Sequence, residues 1–498
     1  MTLKSTLEII YFFLEIIIVY SLPLSFFFPL MELEGILKFF ENKTILVTGA
    51  TGFLAKVFVE KILRVQPKVK RLYLLVRATD NESATQRFRK EVIEKDIFRV
   101  LRNNLGADLE SFIFERVTPI SGDISDENFG IKDCILREEM SKEIDIVLNS
   151  AATTKFDERY DVALGINTYG ALHVLNFAKK CIKLKVLLHV STAYVSSEKG
   201  GNILESPLHT EDTPKGTSRL VINAEKEVVE EYLDRLRVQG ATKEEITSTM
   251  KDLGIKRAKL YGWPNTYVYT KALGEMILGQ FHQNLPLAII RPTMVTSTYK
   301  EPFSGWIEGA RCKVEFNQPS NWLYSVTNLL THANKSSQII FHVGSSLRNP
   351  IKLSSLSIFT FRYFTQNPWI DRNGKSINVP NPKIFSSIAS FQAYMDIRYI
   401  LPLKVLWLAN LVLCQYYRGI YINLNRKVRV VMQLVDLYKP YVFFTSSFDD
   451  SNTEKLRVAI RESDVDENLF NFDPRCIDWE DYIMNTHIPG LKKYSMKP

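Results

Sequence analysis

Paired cysteines are missing from this chain. Its 498 residues hold five (Cys134, Cys181, Cys312, Cys414, Cys476), all far apart. That spacing supports neither a disulfide framework nor a zinc site, and it fits a reducing compartment. The seven histidines are equally scattered, so a metal centre has no sequence support. Basic residues outnumber acidic ones only 63 to 55. No dense basic block or aromatic-interleaved basic patch occurs, which argues against a nucleic-acid partner, although an anionic cofactor or a membrane surface would suit the balance. What remains is a globular composition, 46% apolar and 24% charged, with length enough for two domains or one large domain and an appendage.

The stretch that organises the rest is Lys43-Thr-Ile-Leu-Val-Thr-Gly-Ala-Thr-Gly-Phe-Leu-Ala-Lys56. Residues 43–48 read as a short buried strand; from Phe53 the apolar positions Leu54, Val57, Phe58 and Ile62 recur at helical spacing. The turn between them, Gly49-x-x-Gly52-x-x-Ala55, is a spaced variant of the dinucleotide fingerprint. Gly49 permits the tight turn, Gly52 lets backbone amides reach a pyrophosphate, and Ala55 lets helix and strand pack closely. Thr51, Phe53 and Leu54, at the open end of that helix, are the further cofactor contacts expected here.

A second buried strand covers 72–76 and ends at Arg77. A cation there, where an acidic residue would accept the ribose 2′-OH of NAD, favours the 2′-phosphate of NADP; Arg87 on the following helix is a second candidate. A helical charged run is expected over 83–101. The strand at 117–120 ends near Asp123 and Ile124, placed to meet the adenine, with a turn role as the alternative for Asp123. The fourth strand, 145–148, closes with Asn149-Ser-Ala-Ala152, small residues against which the cofactor could lie. A helix opens at Asn167-Thr-Tyr-Gly170, and the fifth strand, 186–190, runs into Ser191-Thr-Ala-Tyr194. Five alternations predict an α/β fold, a Rossmann-type doubly wound parallel sheet with its cofactor at the carboxyl ends of the strands.

Tyr267-Val-Tyr-Thr-Lys271 places Tyr267 and Lys271 one helical turn apart on one face, just before another buried strand at 287–292. A phenol with an ordinary pKa of about 10 is a poor acid–base group until an ammonium stabilises its phenolate. Lys271 is expected to do this and to bind the nicotinamide ribose. Thr192, or less favourably Ser191, would hydrogen-bond the substrate oxygen.

Taken together, Thr-Gly-Ala-Thr-Gly-Phe-Leu-Ala-Lys56, Asn149-Ser-Ala-Ala, Val190-Ser-Thr-Ala-Tyr, Tyr267-Val-Tyr-Thr-Lys and Arg291-Pro-Thr293 resemble the extended short-chain dehydrogenase/reductases, and more closely the plant alcohol-forming fatty acyl-CoA reductases. The resemblance runs from about Met31 to the C-terminus. It implies NADPH-dependent reduction of a long-chain acyl-CoA to a fatty alcohol with release of CoA, through a thiohemiacetal and a bound aldehyde. Tyr267 would donate the proton and Thr192 would hold the oxygen. Rival readings are a sugar-nucleotide epimerase or steroid-type dehydrogenase, or an inactive cofactor-binding paralogue.

Four stretches bear on that reading. Residues 1–30 form an apolar leader, interrupted by Glu8, Glu15, Pro23 and Pro29, that nearly spans a bilayer; an anchor and an upstream extension before Met31 are the alternatives. With an anchor, the enzyme would be membrane-associated, at the endoplasmic reticulum with its catalytic domain facing the cytosol. Between Thr192 and Tyr267 lie an amphipathic helix at 223–237 and a charged segment at 242–259, either a lid or a surface excursion. The region 309–340 is shorter than the family pattern, which puts part of the pocket wall in doubt. The expected division is a reductase domain over 31–348 and a mostly helical domain over 349–498. Within the latter, the apolar stretch 403–417 beside Arg418, Arg426, Lys427 and Arg429 could rest on a membrane, with a core helix the stronger expectation.

Overall fold

The structure, a computed structural model, describes residues 36–495 except 197–199, 217–219, 309–337, 371–373, 375, 378, 380, 386, 413 and 462–470. The leader therefore lies outside the described residues, as does most of the shortened 309–340 region.

Seven parallel strands form the central sheet: β1 Thr44–Thr48, β2 Arg71–Val76, β3 Val117–Ser121, β4 Ile146–Asn149, β5 Val186–Val190, β6 Leu287–Pro292 and β7 Gln338–Val343. Their order is β3-β2-β1-β4-β5-β6-β7. The chain steps outward from β1 to β3, then returns to the other side of β1 with β4. That reversal opens a crevice at the carboxyl ends of β1 and β4. The strands are near-continuous apolar runs because helices cover both faces. Ile45 and Val47 pack into one core with Phe58 and Ile62, while Leu46 packs into the opposite core with Tyr73, Val147 and Val174, as the two-residue period of a strand requires.

Helix α1, Phe53–Val65, follows β1 directly and is buried along most of its length. The charged run after β2 is helical but broken. Helix α2, Asn81–Phe88, is capped by Asp80 accepting from the Ser83 amide, and passes into a π-helical turn at Arg89–Ile93. A second π turn, Leu164–Tyr169, precedes α3, Gly170–Ala178. The insertion before the Tyr267 motif is two helices, α4 Ile222–Val238 and α5 Lys243–Tyr261. Thr242 and Glu245 form a capping box that starts α5. The two helices are locked together by Glu225, whose carboxylate accepts from Tyr160 (2.6 Å), Arg257 Nε (2.9 Å) and Tyr261. They pack on the flank of α6, Thr266–Phe281.

The C-terminal region is helical, as expected, and its last helices reach back to the reductase core. Ser447–Phe448 pairs in parallel with Asn202–Ile203. Tyr482 donates to the Ser297 carbonyl oxygen (2.9 Å) and contacts the hydroxyls of Ser297 and Thr296. The expectation of a core helix at 403–417 fails. Helix α7, Leu401–Val412, buries Leu403 and Asn410 but leaves Val405, Trp407, Leu408, Leu411 and Val412 exposed. It packs against α8, Arg418–Val442, and that contact covers only one stripe of a helix that is apolar almost all round.

Candidate active site

Two adjoining clefts open at the carboxyl ends of the strands, sharing Thr51, Gly52, Ser150, Ala152 and Thr154. The first, of about 390 Å³, is lined by the β1 turn, Arg77, Arg87, Gly122, Asp123 and Ile124. Gly49 adopts φ +70°, and a Cβ there would stand 2.7 Å from the Ala151 backbone. Only glycine fits, because the β1 turn and the β4 turn touch. Gly52 caps α1 with no side-chain bond, so the first amides of the helix, at Phe53 and Leu54, have no cap of their own and face an anion-binding position. This geometry fits a dinucleotide pyrophosphate.

At the far end of this cleft Arg77 is exposed. Arg87 is already engaged, with Nε and Nη2 on Glu91 (2.8 and 3.0 Å) and Nη1 on the Arg77 carbonyl oxygen. It therefore braces the loop that presents Arg77. Asp123 accepts from the Ser125 amide and hydroxyl (both 2.9 Å), so it forms the expected turn while still lining the cleft. Asn149 is placed otherwise than expected. It lies beneath the cleft, its Oδ1 accepting from Thr48 (2.7 Å) and its amide donating to His189 Nδ1 (3.0 Å). Its side chain ties three neighbouring strands together, and Ser150 is the residue that lines the clefts.

The second cleft, of about 580 Å³, brings together Thr51, Phe53, Leu54, Ser191, Thr192, Tyr267 and Lys271. Asn265 caps α6 by accepting from the Val268 amide, which sets Tyr267 in the first turn and Lys271 one turn deeper. Thr192 hydrogen-bonds the Tyr267 hydroxyl. Lys271 donates to the Val190 carbonyl oxygen at 2.7 Å, and burial lowers its pKa to about 8. A turn further on, Glu275 pairs with the fully buried Arg291 at 2.7 Å, which gives Arg291 of the Arg-Pro-Thr motif a structural partner. The expected acidification of Tyr267 is absent. Burial pushes its pKa up to about 12, and the Thr192 bond only partly offsets this. The phenol therefore stays protonated, in the form that can donate.

The wall opposite comes from places the sequence did not announce. Phe156 lies between Tyr267 and Tyr441, with ring centroids 6.1 and 5.2 Å away and planes within 22°. Tyr438 and Tyr441 belong to the last turns of α8. Glu308 and Ile307 form another edge, held by Glu308 on Lys56 (2.6 Å) and by Trp306 stacked on Phe53 at 5.0 Å. No residue of α4 or α5 lines either cleft, so the insertion is a flanking brace. Among the described residues no cluster could hold a metal ion.

A doubly wound parallel sheet with a glycine turn at its switch point and a hydroxyl–lysine pair beside it defines a nicotinamide-nucleotide-dependent oxidoreductase. Two family models, both described as male sterility protein, match residues 47–321, an NAD-binding segment, and residues 398–498. The chain is 51% identical over 488 residues to an alcohol-forming fatty acyl-CoA reductase of Simmondsia chinensis, spanning 93% of this chain and 99% of that one. It is likewise 51% identical over 487 residues to fatty acyl-CoA reductase 1 of Arabidopsis thaliana, spanning 92% and 99%. Fatty acyl-CoA reductase 2 of Homo sapiens is 28% identical over 502 residues, spanning 93% and 87%. Among solved structures, a reductase domain of a nonribosomal peptide synthetase from Mycobacterium tuberculosis superposes with a TM-score of 0.53 at 17% identity, over 91% and 92% of the two chains. That likeness concerns the fold alone. The chain belongs to the fatty acyl-CoA reductase family.

Proposed function

We propose that this protein reduces long-chain fatty acyl-CoA to the fatty alcohol, releasing CoA and drawing on NADPH. One observation carries the reading: Thr192, Tyr267 and Lys271 face the same cavity as the glycine turn between β1 and α1. Gly49, Gly52 and the amides of Phe53 and Leu54 hold the pyrophosphate, Thr51 lies beside it, and Asp123 and Ile124 border the adenine. Arg77 forks onto the 2′-phosphate from a loop braced by Arg87. Lys271 holds the nicotinamide ribose.

Bound NADPH supplies hydride to the thioester carbon. Tyr267 gives its proton to the oxygen that gains charge, with Thr192 holding that oxygen in place. The thiohemiacetal so formed expels CoA as the thiol and leaves an aldehyde. A second hydride and a second proton convert the aldehyde to the alcohol. Each acyl-CoA thus consumes two NADPH, and Tyr267 is reprotonated between steps.

The division into a reductase domain at 31–348 and a helical domain at 349–498 belongs to the same proposal, the second lending Tyr438 and Tyr441 to the cavity. So does association with a membrane surface. Helix α7, with its exposed apolar residues, packs against α8, which carries Arg418, Arg426, Lys427 and Arg429, a composition suited to an anionic bilayer. Among the described residues no helix is long and apolar enough to cross a membrane.

The test is product analysis after incubation with NADPH and palmitoyl- or stearoyl-CoA. Fatty alcohol and free CoA should appear with two NADPH consumed per CoA, and Tyr267→Phe should abolish both while cofactor binding persists. Turnover of a nucleotide sugar in place of either thioester would refute the reading.

A further inference from the structure

The C-terminal helix α8 places a second phenol in the catalytic cavity, and its hydrogen-bond arithmetic is unusual. Asn265 is committed by its role as helix cap: its Oδ1 accepts from the Val268 amide at 3.0 Å. Only its amino group can therefore face Tyr441, and it does, donating to the Tyr441 oxygen at 2.8 Å. A tyrosine hydroxyl has a single hydrogen to donate. With its oxygen accepting from Asn265, that hydrogen must find another acceptor, and no described residue provides one. Tyr441 is buried apart from the face it turns to the cavity. Its ring is fixed by Phe156 on one side and by Tyr194 edge-on at 4.9 Å. A buried, rigid donor lacking an acceptor is costly unless something that enters the cavity supplies one.

We infer that Tyr441 donates its hydroxyl hydrogen to the carbonyl oxygen of the acyl thioester, as a further donor beside Tyr267 and Thr192. This rests on the acyl-CoA reading given above. The oxygen has two lone pairs as a carbonyl and three as the developing alkoxide, so Tyr441 can join Thr192 in holding it while Tyr267 transfers its proton. Tyr441 is a substrate-positioning residue, contributed by the C-terminal helical region to a site otherwise built by the sheet. The inference gives that region a part in the chemistry.

The experiment compares binding of palmitoyl-CoA with binding of its thioether analogue, S-hexadecyl-CoA, which lacks the carbonyl. Both are titrated into the full-length protein saturated with NADP+, so that no turnover occurs. Tyr441→Phe keeps the ring stack and removes the hydroxyl. It should weaken palmitoyl-CoA binding by roughly tenfold, the worth of one hydrogen bond, and leave thioether binding unchanged. Asn265→Ser keeps a capping oxygen and leaves the Tyr441 hydrogen free, so it should retain the wild-type preference for the thioester. Equal weakening of both ligands by Tyr441→Phe would mean a packing role and overturn the inference, as would no change in either. Wild-type turnover of palmitoyl-CoA, measured alongside, tests the underlying activity separately. Binding that discriminates the two ligands without turnover would leave the donor role standing and remove the reductase.

Discussion

Lys271 directs its ammonium at the carbonyl oxygen of Val190, 2.7 Å away, and so ties α6 to the end of β5 two residues before Thr192. The bond keeps the ammonium at the cavity wall while burial lowers its pKa from 10.5 to about 8, the charge of Glu275 opposing the shift. Below that value the ammonium is present to donate to Val190 and to a ribose hydroxyl; above it, the proton is lost. The kcat/KM for acyl-CoA should therefore fall with a one-proton slope as pH rises through about 8, over a profile run from about pH 6 to about pH 10. Folding moves the other way for this group. The unfolded chain binds the proton up to about 10.5 and the folded one does not, so the lysine adds stability as pH rises across that window. A profile flat to about pH 10 would remove Lys271 from the mechanism.

Arg77 and Arg87 offer a sharper contrast than the sequence allowed. Arg77 stands exposed at the mouth of the cleft, whereas Arg87 is held by Glu91 and by the Arg77 carbonyl. Arg77→Ala should raise the KM for NADPH by roughly 10- to 100-fold, the worth of a charge-assisted hydrogen bond, and leave the KM for NADH almost unchanged. Arg87→Ala should loosen the loop and give the same loss in weaker form. Cofactor preference measured on both variants decides the assignment; an unaltered NADPH to NADH ratio in Arg77→Ala refutes it.

What was legible in the sequence was local. The β1 turn and the Tyr267–Lys271 pair are set by spacings within one turn or one helix, where residue type and period carry the information. Tyr438 and Tyr441 carried no such signal. Their place depends on a helix docking from the far end of the chain, and Pro440 between them reads as a break in any local scan. Asn149 was misplaced because the end of a strand offers two directions, and the sequence does not say which leads to the cleft. The acidity of Tyr267 was misjudged for a related reason. Proximity to Lys271 is readable from spacing, but the burial that outweighs it is not. Residues 403–417 read as core because an apolar run shows its composition and not how many neighbours will cover it.

Gly49 tests whether the turn geometry matters as much as the fingerprint claims. At φ +70° its missing Cβ would lie 2.7 Å from both Cα and N of Ala151, backbone atoms that cannot swing aside. Gly240, at the end of α4, also has a positive φ, +65°, but a Cβ there meets nothing within 4 Å. Gly240→Ala should lower stability by about 1 kcal/mol, the conformational term alone. Gly49→Ala adds overpacking and should lose about 2–4 kcal/mol, together with measurable NADPH binding. Denaturation midpoints and cofactor fluorescence read the two effects; equal losses at the two positions would mean that the β1 and β4 turns are not in contact.

Lys56 lies within the fingerprint helix yet is buried, its ammonium 2.6 Å from Glu308 on the cavity rim. Burial lowers the pKa of Lys56, and the Glu308 carboxylate is what opposes that fall. Glu308→Gln would leave the ammonium facing a neutral amide. Removing one partner of a fully buried pair costs about 3–5 kcal/mol, but Glu308 is 36% exposed, so solvent screening reduces the expected loss to roughly 1–2 kcal/mol. The loss should shrink as pH rises, because the stranded lysine then gives up its proton and is neutral in its buried site. The double variant Lys56→Met, Glu308→Gln removes both charges and should regain most of the stability. Because Trp306 of the same loop stacks on Phe53 at the mouth of α1, Glu308→Gln should also weaken NADPH binding, and the double variant should restore it in parallel. Urea midpoints and NADPH titrations on the wild type and these two variants check this, and a double variant no more stable than Glu308→Gln would show that the rim is held by the stack alone.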